Sequence, residues 1–199
     1  MASVVALLAF GLAYCWFSLS KSWPVTYSLS LLVWVATAFL LAQLTLTPYI
    51  AITLALIAIL ITPVLLPQVA VTPINSTTLN DLPLRLVAGA ALTLAVTQSA
   101  QIMGGNWSGI VAVFPVINSV LAIFTHRIQG AAGVIQLYRG MVKGLCSLSV
   151  FFLILGFAWQ SQGFWWPVIM AILGALAIQL LFRVPLLIKQ APIKSLSAK

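Results

Sequence analysis

The chain has 199 residues, of which 63% are hydrophobic and 5% charged, with a formal net charge of +8. A water-soluble domain carries roughly 25% charged residues, so the composition excludes a soluble globular protein. The length accommodates about seven membrane crossings of roughly 20 residues and leaves no separate soluble domain. The positive charge does not indicate nucleic acid, because the cations stand singly at the ends of apolar runs, as membrane orientation requires.

In chain order, the apolar runs predict spans over 2–20, 25–46, 49–66, 84–103, 110–125, 139–159 and 165–182, with a basic tail over 183–199. The fold class is all-α, a polytopic transmembrane helical bundle forming a single integral membrane domain over 1–199. Lys21-Ser22-Trp23-Pro24 reads as the first turn and Thr47-Pro48 as a tight second connection. The longest polar stretch, 68–83, precedes span four, which Gly104-Gly105 ends because glycine is a poor helix former. The start of span six falls between Ala131 and Gly140. Met1-Ala2-Ser3 lacks the basic region of a cleavable signal, so the first span is expected to remain in the mature protein. Cys15 and Cys146 lie in apolar segments without metal-type spacing and read as small buried hydrophobes.

Charge tests this partition. Lys21, Arg85, Arg127, Arg139, Lys143, Arg183, Lys189, Lys194 and Lys199 are the nine Lys and Arg of the chain. All of them fall on one side when the spans alternate. Lys and Arg are enriched in cytoplasmic loops, so the N-terminus is expected outside and the C-terminus inside. Trp23, Trp107, Trp159, Trp165 and Trp166 stand at expected interfaces, where amphipathic rings settle.

Candidate chemistry concentrates in the C-terminal half. Gln129, Gly133, Gln136, Arg139, Gly140, Lys143, Gly144 and Ser147 recur at three- and four-residue intervals, one stripe of a helix. Arg139 and Lys143 are either interfacial anchors that snorkel to water or the lining of a cytoplasmic vestibule that attracts an anion. The Gly140–Gly144 spacing reads as a close helix contact. Span five is expected to be broken by Pro115, with Asn118, Ser119 and His126 following on one face and Arg127 adjacent. Such a break is either pure architecture or exposes polar backbone to a substrate near mid-membrane. In span four, Thr97, Gln98 and Gln101 are amide and hydroxyl groups that need partners in lipid. Asp81, the only acid, reads as a helix N-cap ahead of Pro83 and leaves no carboxylate relay within any span. One His, one Asp and no Glu exclude an ordinary zinc site and leave little for acid–base catalysis, so neither an enzyme nor a cofactor is expected. The sequons at Asn75 and Asn106 carry little weight in these positions.

The run Trp107-Ser108-Gly109-Ile110-Val111-Ala112-Val113-Phe114-Pro115, then Gly130, Arg139-Gly140, Gly144-Leu145-Cys146-Ser147 and Phe151-Phe152 resembles the GlpM family of small bacterial inner-membrane proteins. The likeness covers roughly 84–182. It implies a bacterial inner (cytoplasmic) membrane and an association with envelope or exopolysaccharide physiology.

The leading expectation is a transporter or exporter of a polar or anionic small molecule among spans four to six, lined by the residues named above. The alternative is a non-transporting scaffold whose Gly-rich faces bind a larger membrane partner. A second copy of the chain is a further expected partner, since so small a bundle encloses a path poorly by itself.

Overall fold

A computed structural model describes residues 2–44, 47–69, 82–102, 114–158 and 165–190. Among these residues the chain is entirely helical, with six helices. They are α1 (Ala2–Ser18), α2 (Trp23–Gln43), α3 (Pro48–Leu65), α4 (Leu82–Ile102), α5 (Val116–Ala158) and α6 (Trp165–Gln190). Among the described residues three segments are long and apolar enough to cross a membrane, Trp23–Gln43, Val116–Ala158 and Trp165–Phe182, and Val4–Ser18 and Tyr49–Leu65 are shorter apolar helices. Proline opens both α2 and α3, where its missing N–H is one of the donors a helix start leaves unpaired in any case. The Asp81 cap, both sequons, Trp107, Trp159 and the tail beyond 190 lie outside the described residues.

Many large apolar side chains point outward. Leu32, Leu40, Leu60, Val64, Leu94 and Leu181 are all exposed, Val64 to 83%. A surface of this kind is unstable in water and natural in lipid. The chain is therefore a helical, membrane-type protein.

It divides into an N-terminal unit, Met1–Arg139, and a C-terminal unit, Gly140–Lys199. In the N-terminal unit α1 is the central helix and packs against both α2 and α3. Its buried residues Phe10, Gly11, Tyr14, Cys15 and Ser18 go around more than one face. By contrast α2 buries the single stripe Thr26, Ser30 and Trp34, and α3 buries Ala55, Ile59 and Thr62. A stripe at three- and four-residue spacing is what one packed side of a helix requires.

Two helix ends differ from the sequence expectation. Where a connection was expected between 125 and 139, the backbone stays helical apart from Gly130, at φ 66° and ψ −164°. That conformation is essentially restricted to glycine. One residue thus does the work assigned to a loop. At the other end, α6 runs to Gln190, past the expected boundary at 182, because Val184, Leu186, Leu187 and Ile188 continue the apolar run beyond Arg183.

In the C-terminal unit, small residues set the distance between α5 and α6. The Ser147 hydroxyl donates to the Ala175 carbonyl at 2.8 Å, and the Ile154 side chain fills the space beside Gly174. Close approach at small residues with a cross-helix hydrogen bond is the membrane mode of helix packing. Gly140 and Gly144, expected to provide such a contact, are exposed and have nothing within 4 Å of where a Cβ would stand.

Candidate functional site

Polar side chains converge around Tyr14, one turn before the C-terminal end of the central helix. Tyr14 is fully buried. The His126 ring stands 5.9 Å from the Tyr14 ring at 72°, edge to face, and the Tyr138 ring lies 6.4 Å away on a tilted plane. His126 and Tyr138 are both on α5, and a straight helix would set them about 18 Å apart along its axis. The break at Gly130 lets residues from both sides of it flank one ring. Gly11, a turn before Tyr14, receives the Tyr138 ring so closely that a Cβ has no room. Cys15 is buried beside Tyr14 and lies within electrostatic reach of Arg139.

The polar atoms of this cluster lack protein partners. Tyr14 Oη, His126 Nδ1 and Tyr138 Oη are each buried without a hydrogen bond. A stranded buried polar group costs about 1–3 kcal/mol. Three of them around one ring constitute a place that a polar molecule or water would stabilise.

The cations are already engaged. Arg139 donates from Nη2 to the Pro67 carbonyl at 3.0 Å, just past the end of α3. Trp16 Nε1 donates to the Leu65 carbonyl, also at 3.0 Å. These two donors satisfy carbonyls that a helix C-terminus leaves without intrahelical partners. Arg127 lies 5.7 Å over the Trp23 ring and Arg85 lies 5.4 Å over the Phe124 ring, both within cation–π range.

The expected site residues therefore separate. His126 belongs to the cluster and Arg139 lies at its edge, while Gln136 has a buried Nε2 without a hydrogen bond. Pro115, Asn118 and Ser119 are buried together at the start of α5. Pro115, expected to break span five, stands immediately before α5, and its carbonyl accepts from Ser119 N at 2.8 Å, the first α-helical bond of α5; residues 110–113 on its other side lie outside the described residues. There the missing N–H costs nothing. Thr97, Gln98 and Gln101 are exposed on α4, whose neighbouring Leu94 and Ile102 are exposed as well. Arg139 and Lys143 are one turn apart on α5, yet Arg139 is half-buried and hydrogen-bonded while Lys143 is exposed in the C-terminal unit. The expected pair of free cations is therefore reduced to Lys143.

Sequence reasoning missed Tyr14, Tyr138 and Trp34. For Trp34 the available signal was an indole near the middle of its helix, away from the interfaces where Tyr and Trp ordinarily collect; Tyr14, a turn from the end of α1, and Tyr138, beside the expected start of span six, carried no such signal.

No protein-family model, curated protein or solved structure matches the chain.

Proposed function

We propose that this protein is a small membrane carrier of a polar solute, held in transit at the Tyr14–His126–Tyr138 cluster. The observation that carries this reading is the contact of three rings, each bearing a buried polar atom without a hydrogen bond, inside an apolar bundle. Evolutionarily inert packing would fill such a place with Phe and Leu, which strand nothing.

The reading includes about seven crossings, with the N-terminus outside and the C-terminus inside. Counting α5 as two segments about Gly130 supports that number. The placement of cations in the N-terminal unit supports the orientation. Lys21 lies in the α1–α2 turn, Arg127 sits over Trp23 at the start of α2, and Arg139 reaches the end of α3. The Trp16–Leu65 hydrogen bond joins the ends of α1 and α3 at that same end of the unit. A bacterial inner membrane follows from the resemblance to the GlpM family.

Reconstitution into proteoliposomes tests the carrier, using flux of a panel of small sugars, amino acids, polyols and carboxylates. At least one solute is expected to move, and Tyr14→Phe with Tyr138→Phe is expected to slow it by more than an order of magnitude. If the double variant is as stable or more stable and no flux depends on it, the hydroxyls are only stranded polar groups and the carrier reading is wrong.

A second reading is a scaffold or accessory subunit of an envelope assembly, favoured by the open faces of Gly140 and Gly144. Small residues left facing outward permit another helix to approach closely. Co-purification of a stoichiometric membrane partner, lost on Gly144→Leu, would establish it.

A further inference from the structure

The start of α5 lies half-way along α2. Phe114, two residues before α5, packs its ring edge to face on Trp34 at 5.2 Å, and Trp34 is near the middle of the 21-residue α2. Arg127, near the other end of this segment, sits over Trp23 at the first position of α2. The segment from 114 to 127 therefore runs antiparallel to α2 and covers only one half of it. A helix the length of α2 spans about 32 Å, close to the roughly 30 Å hydrocarbon thickness of a bilayer. The N-terminus of α5 thus stands at mid-depth, among buried residues.

Donors collect there. The backbone N–H groups of the first turn of α5 lie where a helix leaves donors without intrahelical carbonyls; that of Val116 donates to the Phe114 carbonyl at 2.7 Å. Trp34 Nε1, a group that can only donate, is buried without a partner. Ser119 Oγ is also unpartnered, on a residue with no exposed surface. Among the described residues it is the one Ser or Thr oxygen that is fully buried without a hydrogen bond. Seven other helical hydroxyls, on Ser28, Ser30, Thr37, Thr53, Thr62, Thr93 and Ser99, donate to the carbonyl four residues earlier. Ser119 has the same opportunity at Pro115 and does not take it, leaving that carbonyl to its own backbone N–H. Helical side chains lean toward the N-terminus, so the free hydroxyl is directed to the end of α5 where Trp34 and the first N–H groups lie.

We propose that the N-terminus of α5 binds the carboxylate of a small organic anion, with Ser119 Oγ, Trp34 Nε1 and the first backbone N–H groups as donors. The proposal deepens the carrier reading, on which it rests, by giving the solute an anionic end. The positive end of the helix dipole favours a negative charge at this position, and discontinuous helices use it so at mid-membrane. The chain itself has one acidic residue, Asp81, so its own side chains offer almost no competing carboxylate.

Calorimetric titration of the full chain in nanodiscs with sodium acetate, and in parallel with its neutral isostere acetamide, tests the site at constant ionic strength. Saturable acetate binding with no acetamide binding is expected. Ser119→Ala and Trp34→Phe, the second keeping the ring contact with Phe114, should each weaken acetate on the order of tenfold. Equal heats from acetate and acetamide, or no saturable binding of acetate, overturn the proposal on the unmodified protein alone. Unchanged acetate affinity in both variants overturns it equally. Failure here is separate from failure of the carrier, since binding is measured without flux and the Tyr14 and Tyr138 hydroxyls are untouched.

Discussion

Arg139 donates to the Pro67 carbonyl at 3.0 Å across 72 residues of chain, tying the middle of α5 to the end of α3. Lys143, one turn further on, is exposed. Two cations that look equivalent in sequence therefore have different structural weight. Arg139→Gln should destabilise the protein by about 1.5–3 kcal/mol, the value of a hydrogen bond from a charged donor, and loosen the end of α3. Lys143→Gln should stay within about 0.5 kcal/mol of wild type. Thermal unfolding in detergent, with limited proteolysis after residue 65, checks both.

Gly11 and Tyr138 share one space. Gly11→Ala places a methyl group against the Tyr138 ring, and overpacking of this kind costs about 1–3 kcal/mol. Gly140→Ala and Gly144→Ala meet nothing within 4 Å and gain helix propensity, by roughly 1 kcal/mol at most. The three variants compared in one unfolding series should give one loss and two neutral or favourable changes.

At Gly130 the requirement is conformational. No atom lies within 4 Å of a Cβ there, but φ is +66°. Gly130→Ala should cost about 1–3 kcal/mol despite the free space. It should also separate His126 from Tyr138 and so impair any solute flux more than Gly140→Ala does. Flux at matched amounts of folded protein distinguishes this from simple loss of stability.

The α5–α6 contact of the C-terminal unit rests on Ser147 and Gly174. Ser147→Ala should lose about 1 kcal/mol with its hydrogen bond to Ala175. Gly174→Leu should cost more, because a branched side chain cannot share the space already held by Ile154. Hydrogen exchange along α6 would register both, with the larger loss of protection in Gly174→Leu.

Single-cysteine labelling checks the orientation. With Cys15 and Cys146 replaced by Ser, Lys21→Cys and Lys199→Cys should react with an impermeant maleimide from the cytoplasmic side only. Reaction from opposite compartments would refute the even spacing of crossings on which the count of about seven depends.

Helix positions were readable because each rests on local chemistry: apolar runs, proline at helix starts and turn residues between them. The boundaries of α2, α3 and α4 lie within three residues of expectation. The described helix of span five begins directly after Pro115, where proline's missing N–H and its clash with the preceding turn put a break. The close contact assigned to Gly140 and Gly144 falls instead at Gly174 and Ser147. Small-residue spacing marks where helices can approach, and the neighbour decides where they do.

The sequence by itself determined that this chain folds as apolar helices against lipid, because so few charged residues cannot cover a surface in water. It also located every cation and the near-absence of acids. Only the tertiary structure decided which polar groups meet. Tyr14, His126 and Tyr138 come together through a single glycine conformation and the packing of α1 against α5, and the start of α5 meets Trp34 because two helices run antiparallel. Those are relations between distant segments, and residue spacing along one helix carries no information about them.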